Sequence, residues 1–159
     1  MLTRPALLLL SAAILTACGG SAAPVEALPT GTLVITVAEN SVAEIDYRLE
    51  VSIAETPEAQ ERGLMGVEEM AEDSGMVFLH EEPVQSGFWM KDTLIPLSIA
   101  FWDQSGRILE VLDMDPCFED PCTVYDPGFA WVGAVEVNQG YFDRHYIEVG
   151  TTRVRLESK

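Results

Sequence analysis

The chain has 159 residues, of which 26 are Asp or Glu and only 9 are Lys or Arg, so its formal net charge at pH 7 is −17. This length is enough for one ordinary domain with a substantial hydrophobic core. So acidic a surface repels nucleic acids and anionic lipid head groups, and it attracts cationic ligands and metal ions. We therefore exclude a nucleic-acid-binding protein.

The N-terminus has the pattern of a bacterial export signal. Arg4 is the only basic residue among residues 1–17, and the apolar run of residues 6–15 suits a signal sequence but is too short to span a bilayer. It leads into Leu15-Thr16-Ala17-Cys18, which resembles the lipobox of bacterial lipoproteins. We predict a signal peptide at residues 1–17, a lipid group on Cys18, and a periplasmic or outer-surface protein held in the membrane by that anchor.

The composition changes after the predicted cleavage site. Residues 18–31 are rich in Gly, Ala, Ser and Pro and predict a lipidated cysteine followed by a flexible tether. Residues 32–159 are predicted to form a single domain. No sequence pattern calls for a cofactor, and the expected contacts are the membrane, through the lipid anchor, and an envelope glycan or protein.

The cysteine count fits export. Lipidation of Cys18 leaves Cys117 and Cys122, which are close in sequence and predict a disulfide in an oxidising compartment. The alternative is a zinc site, but zinc requires four ligands and the chain adds only His80 and His145.

Short β-branched and alternating segments run through the rest of the chain. They predict strands at residues 32–37, 45–53, 75–80, 87–90, 96–102, 107–112, 130–137, 146–149 and 152–156. The turn at residues 103–106 predicts a hairpin, and residues 113–128 are predicted to be a loop. Many short strands with two short helices predict a mainly β fold, a compact antiparallel β barrel or sandwich.

Two short helices are indicated by their capping residues. Thr56 is a good N-cap, Pro57 suits the first helical position, and Gly63 can end the helix. Asn138 is predicted to cap a helical turn that runs through Arg144.

Several short sequence motifs occur in a recognisable order. They are Gly63-Leu64-Met65, Gly75-Met76-Val77-Phe78, Phe88-Trp89-Met90-Lys91-Asp92-Thr93, Ile95-Pro96-Leu97, Ile99-Ala100-Phe101, Val135-Glu136-Val137-Asn138, Gly140, His145-Tyr146-Ile147 and Gly150. Together they resemble the uncharacterised bacterial and archaeal family DUF192. The resemblance implies a compact β-rich domain that is often exported, and it implies no reaction.

The chain departs from the family pattern at three positions. The resemblance leads us to expect asparagine where Asp92 stands, aspartate where Ser98 stands, and glycine where Tyr146 stands.

The segment Phe88–Thr93 contains the most closely spaced side chains that could bind a ligand. Trp89, Lys91, Asp92 and Thr93 follow one another at a predicted strand end, where ligand-binding side chains collect. We predict that they bind a small polar ligand, with Trp89 as a stacking wall. The structural alternative is that Trp89 or Met90 faces the core and that Asp92 caps the turn at residues 93–97.

Three other chemistries remain as alternatives. Met65, Met70, Met76, Met90 and Met114 with two histidines could suit Cu(I), but they are scattered and methionine often fills cores. The acidic residues of the 113–128 loop could bind Ca²⁺, although their spacing is not that of an EF-hand. A carboxylate pair could hydrolyse envelope polymer, but no spacing selects the pair. The sequence thus predicts a lipid-anchored binding or accessory domain rather than an enzyme.

Overall fold

The computed structural model describes residues 27–39 and 43–158. The predicted signal peptide and Cys18 lie outside these residues. Within them, no helix is long and apolar enough to cross a membrane.

Strands dominate the described part of the chain, with two short helices. The elements are β1 (Thr30–Glu39), β2 (Ala43–Ala54), α1 (Pro57–Arg62), β3 (Ser74–Val84), β4 (Phe88–Trp89), β5 (Leu97–Trp102), β6 (Ile108–Met114), β7 (Val124–Tyr125), β8 (Trp131–Asn138), α2 (Tyr141–Arg144) and β9 (Arg153–Ser158). The prediction of a mainly β fold with two short helices is confirmed. Thr30 and Gly31, which the tether prediction included, belong to β1 and pair with β2.

Seven strands form one sheet in the order β6-β5-β8-β3-β2-β1-β9, and β4 pairs with β7 in a second, small sheet. The sheet is mainly antiparallel, as predicted, with one exception: β2 and β3 are parallel. Helix α1 lies between them in the chain, and such a crossover is what parallel neighbours require. The large sheet is not a closed barrel. Its edge strands, β6 and β9, approach each other at an isolated bridge between Arg107 and Arg153 but form no continuous ladder there. The fold is therefore sandwich-like.

The large sheet has a hydrophobic cluster on each face. The first contains residues of β1, β2, α2 and β9, and the second contains residues of β3 and β5, with Phe88 of β4 packed against it. Strand β8 lies between β3 and β5 and supplies both clusters, with Val135 and Val137 on one side and Ala134 on the other. All six residues of β5 are buried. Both faces of the central strands are therefore removed from water.

The predicted helix ends and hairpin are confirmed. The Thr56 side chain accepts a hydrogen bond from the Ala59 N–H at 3.2 Å, and α1 ends at Gly63. Strands β5 and β6 pair as the predicted hairpin. Its turn is held by the Asp103 carboxylate, which accepts hydrogen bonds from the backbone N–H groups of Ser105 and Arg107.

Three local predictions are wrong. Residues 146–149 form turns instead of a strand, since Tyr146 has a left-handed φ of 53°. Asn138 does not cap α2; the N-cap position is Gly140, and the Asn138 amide instead donates to the carbonyls of Met70 and Ala71. The loop predicted at residues 113–128 contains β7, a strand of two residues that is too short to show a periodic pattern.

Candidate functional site

The centre of the candidate site is a glutamate in the middle of the large sheet. Glu136 lies on β8, where its register partners are Met76 of β3 and Ile99 of β5. Both neighbours are buried and apolar, and only 4% of the Glu136 surface is exposed. Strand alternation turns its side chain toward the same face as Ala134. An ionisable group therefore enters the second hydrophobic cluster.

One carboxyl oxygen of Glu136 lacks a partner. Among the described residues, Oε2 of Glu136 is the buried side-chain atom that makes no hydrogen bond. Burial raises the pKa of this carboxyl to about 8, because desolvation disfavours the charged form. Buried polar atoms are nearly always paired, so an unpaired one in a pocket is a candidate ligand contact.

The Glu136 pocket is a cavity of about 30 Å³ beside this carboxyl. A single water molecule needs roughly 10–15 Å³, whereas pockets for drug-sized ligands measure about 300 Å³ or more. The cavity thus has room for a small head group and not for a whole sugar ring. Its lining residues are Gln60, Glu61, Arg62, Gly63, Leu64, Met65, Phe78, Phe88, Trp89, Thr93 and Glu136.

Helix α1 and the turn after it cover the pocket. The Gln60 amide donates to the carbonyls of Ala54 and Leu79, which ties α1 to β2 and β3. At Gly63, φ is 47°, and a Cβ there would lie 3.9 Å from Glu136 Oε2. Glycine therefore keeps the cover close to the carboxyl without filling the cavity.

Trp89 and Thr93 line the Glu136 pocket together. Trp89 is 47% exposed and stands at the pocket wall, whereas Thr93 is buried and its hydroxyl lies 3.5 Å from the Lys91 carbonyl. Two of the four residues predicted from the sequence are thus brought next to Glu136.

Lys91 and Asp92 do not join the pocket lining. The Lys91 ammonium forms an ion pair with Asp120 at 3.0 Å, and the Asp92 side chain is exposed. The Asp92 backbone has a φ of 53°; its N–H donates to the Cys117 carbonyl and its carbonyl accepts from the Gly66 N–H. These two residues connect the Trp89–Thr93 segment to the neighbouring loops.

The Cys117 and Cys122 sulfurs are 2.07 Å apart, so the predicted disulfide pair is confirmed. The disulfide holds the loop that carries Asp120, the partner of Lys91. Lys91 also forms an isolated bridge with Cys117. The disulfide loop is therefore attached to the segment that ends in the pocket.

The family model for DUF192, described as "Uncharacterized ACR", matches residues 37–155. The chain belongs to the DUF192 family. No curated protein matches this DUF192 chain.

Two solved structures resemble this DUF192 domain. One is a protein from Sinorhizobium meliloti 1021 that is provisionally described as a transcription regulator, with 25% identity, a TM-score of 0.68, and coverage of 81% of this chain and 96% of that one. The other is a protein of unknown function from Novosphingobium aromaticivorans DSM 12444, with 28% identity, a TM-score of 0.69, and coverage of 84% and 89%. Both support the fold.

The three departures from the DUF192 pattern now have a structural setting. Asp92 and Tyr146 both have left-handed backbone, which asparagine and glycine adopt more readily than most residues. The Ser98 hydroxyl donates to the carboxylate of its cross-strand partner Asp113 and accepts from the Gly140 N–H at 2.8 Å. The carboxylate expected at position 98 is therefore supplied from β6.

The acidic residues of the 113–128 segment have separate partners. Asp120 pairs with Lys91, and the Asp126 carboxylate accepts from the Gly128 N–H at 2.7 Å. Across residues 27–39 and 43–158, no three His, Cys, Asp or Glu side chains are grouped to hold a metal ion.

The residues considered for copper have structural contacts of their own. Met76, Met90 and Met114 pack in the second hydrophobic cluster. The His80 ring contacts Trp131 edge-on, while the Nδ1 atom of His145 lies 2.9 Å from the Tyr141 carbonyl oxygen.

Glu136 was not among the site residues predicted from the sequence. The available signal was a single charged residue in residues 131–137, a strand that is otherwise apolar on both faces. Such a strand is typical of a sheet centre, so its one glutamate had to be buried.

Proposed function

We propose that this DUF192 protein is a lipid-anchored envelope domain that binds a small polar ligand in the Glu136 pocket. The observation that carries the proposal is the unpaired, buried Glu136 Oε2 beside a cavity. Leaving such an atom without a hydrogen bond costs about 1–3 kcal/mol, and a bound ligand removes that cost.

Trp89 supports binding from the outside of the pocket. A large aromatic side chain that is 47% exposed offers a flat apolar surface to the part of the ligand that remains outside the cavity. The Glu136 carboxyl then contacts the head group, while Trp89 contacts the body. A glycan or partner protein that inserts one small group satisfies the same arrangement.

The geometry favours binding over polymer hydrolysis. A glycosidase needs two carboxyl groups on opposite sides of the bond, separated by about 5–10 Å with the sugar between them. Glu136 lies behind a cavity of about 30 Å³, which is smaller than a sugar ring. We therefore do not propose an envelope-polymer hydrolase.

The binding proposal is tested with 5-fluorotryptophan-labelled full-length protein and ¹⁹F NMR. The Trp89 resonance is assigned by its loss in Trp89→Phe. We expect at least one of n-propanol, acetamide and n-propylammonium to shift it saturably in the wild type. Glu136→Leu removes the polar contact in a similar volume and should abolish the shift.

The matched control is Glu69→Gln, an exposed position outside the pocket lining. This variant should respond to the probes as the wild type does. If none of the three probes moves the Trp89 resonance, or if Glu136→Leu responds unchanged, the binding proposal is wrong.

The anchoring part of the proposal rests on the lipobox-like residues and the cysteine count, and the Cys117–Cys122 disulfide is compatible with an oxidising compartment. Mass spectrometry of protein from its host should find a mature N-terminus at an acylated Cys18. Cys18→Ser should release the protein from the membrane fraction. A wild-type protein with an intact Met1 and an unmodified Cys18 would contradict the proposal.

A further inference from the structure

Three of the residues that line the Glu136 pocket are aromatic. Phe78, Phe88 and Trp89 line it, and the rings of Phe78 and Phe88 meet edge to face with centroids 4.8 Å apart. Aromatic faces carry negative electrostatic potential and attract cations, most strongly where water is excluded. An aromatic wall beside a carboxyl is thus suited to a positively charged group.

Among the residues that the structure describes, no cationic side chain pairs with Glu136 Oε2. Glu136 Oε2 has no hydrogen-bond partner, and the residues opposite it on β3 and β5 are Met76 and Ile99. The other charged side chains that line the pocket are Glu61 and Arg62 of α1, both exposed. Neither side chain forms a hydrogen bond with Glu136 Oε2, so they do not take the place of a cation at that oxygen.

The size of the cavity limits the head group. A volume of about 30 Å³ admits an ammonium group, whereas a guanidinium with its three nitrogens is larger. Gln60 and Thr93 add side-chain oxygen atoms to the lining, and an ammonium group has several N–H donors to distribute among such acceptors.

From these features, we propose that the Glu136 pocket binds the primary ammonium group of an aliphatic amine, with its stem against Trp89. This inference rests on the proposed function, because it names the class of ligand for the same pocket. The net charge of −17 supports it, since the field of so acidic a protein concentrates cations at its surface.

Binding of an ammonium group at this site is linked to a proton. Burial raises the pKa of the empty-pocket Glu136 carboxyl to about 8, so the carboxyl is mostly neutral at pH 7. A cation favours the carboxylate, and binding therefore releases the proton from Glu136 to solvent. The amine keeps its own charge up to about pH 9, because alkylammonium groups have pKa values near that of lysine, about 10.4.

The test measures dissociation constants of n-butylammonium and n-butanol for full-length protein, from the ¹⁹F resonance of Trp89, between about pH 6 and pH 9. We expect n-butylammonium to bind more tightly as the pH rises, by up to about tenfold per unit below pH 8, with a plateau above it. The affinity of n-butanol should not rise with pH.

Glu136→Gln keeps a polar group of similar volume and removes the charge. It should lower n-butylammonium affinity at pH 9 at least tenfold and abolish the pH dependence, while Glu69→Gln should retain both. Nα-acetyl-lysine amide, offered in parallel, identifies the source of the amine. Binding tighter than n-butylammonium would indicate a protein lysine, and weaker binding a free amine.

The outcomes separate the two proposals. If n-butanol binds as tightly as n-butylammonium at every pH, or if Glu136→Gln binds n-butylammonium normally, the ammonium inference is wrong while small-ligand binding in the pocket stands. If neither compound nor the probes of the preceding experiment bind, both proposals fail.

Discussion

At the scale of single residues, Glu136 makes the stability of the protein depend on pH. Its carboxyl is buried between apolar strands, and its pKa of about 8 lies well above the ordinary value of 4.5. Above pH 4.5 the unfolded chain releases this proton while the folded protein retains it. Folding therefore becomes less favourable as the pH rises from about 4.5 to about 8, and above 8 the loss is constant.

We expect to detect this loss of stability by comparing the wild type with the Glu136→Gln variant. The free energy of unfolding of the wild type, relative to the variant, should fall by about 1.4 kcal/mol per pH unit between about pH 5 and pH 8. Urea denaturation of both proteins across this range measures the difference. Parallel curves for the wild type and Glu136→Gln would mean that the carboxyl is not desolvated.

At the scale of elements, the turn between α2 and β9 departs from what its residues favour. Tyr146 has a φ of 53° and is 79% exposed, so its side chain gains little burial in exchange for the left-handed backbone. Its N–H donates to the Asp143 carbonyl at 3.2 Å, a contact that does not depend on the side chain. Glycine, which the family resemblance leads us to expect at this position, adopts such a backbone without strain.

Tyr146→Gly should therefore stabilise the protein. Removing the left-handed strain gains about 1–2 kcal/mol, and the greater entropy of unfolded glycine offsets about 0.4–1 kcal/mol of it, which leaves a net gain of roughly 0.5–1 kcal/mol. Tyr146→Ala is the control, because alanine retains the strain. Chemical denaturation that finds no difference between the Gly and Ala variants would contradict this account.

At the scale of the whole molecule, negative charge predominates. Several of the few basic side chains are used in exposed ion pairs, such as Arg155 with Asp46 and Arg107 with Asp103. Exposed pairs of this kind contribute little, about 0–1 kcal/mol each. The remaining acidic excess, which makes up the net charge of −17, repels itself in the compact state.

Salt should thus stabilise this protein. Raising NaCl from about 0.01 M to about 0.15 M shortens the Debye length from about 30 Å to about 8 Å. We expect Tm at pH 7 to increase by a few degrees, or roughly 1 kcal/mol for a domain of this size. Circular dichroism melts in NaCl and KCl should agree; a Tm that falls with salt would show that the ion pairs outweigh the repulsion.

Local sequence patterns were sufficient for much of the fold. Alternation predicted β2, and capping chemistry predicted α1 from Thr56 to Gly63. They failed where a distant contact overrides the local pattern. Asn138 looks like a helix cap, but its amide donates to Met70 and Ala71 because β8 passes beside that loop. The strand β7 exists because β4 pairs with it.

Local sequence patterns likewise predicted one part of the candidate site and missed another. The sequence pointed to the Trp89–Thr93 segment, since an aromatic residue and polar residues at a strand end are a local pattern. Only two of these residues face the Glu136 pocket, because the left-handed backbone at Asp92 and the ion pair of Lys91 with Asp120 direct the intervening residues elsewhere.

By itself, the sequence determined the acidic character, the mainly β class, the disulfide partners and the membership of DUF192, because each of these depends on composition or on short spacings. Only the tertiary structure decided that β2 and β3 run parallel and that Glu136 is buried beside Trp89 and Thr93. The strand order brings Glu136 next to Trp89 and Thr93, although more than forty residues separate it from them in the sequence. The pKa of the Glu136 carboxyl is raised by burial among residues that are distant in the sequence, and local sequence patterns do not predict such neighbours.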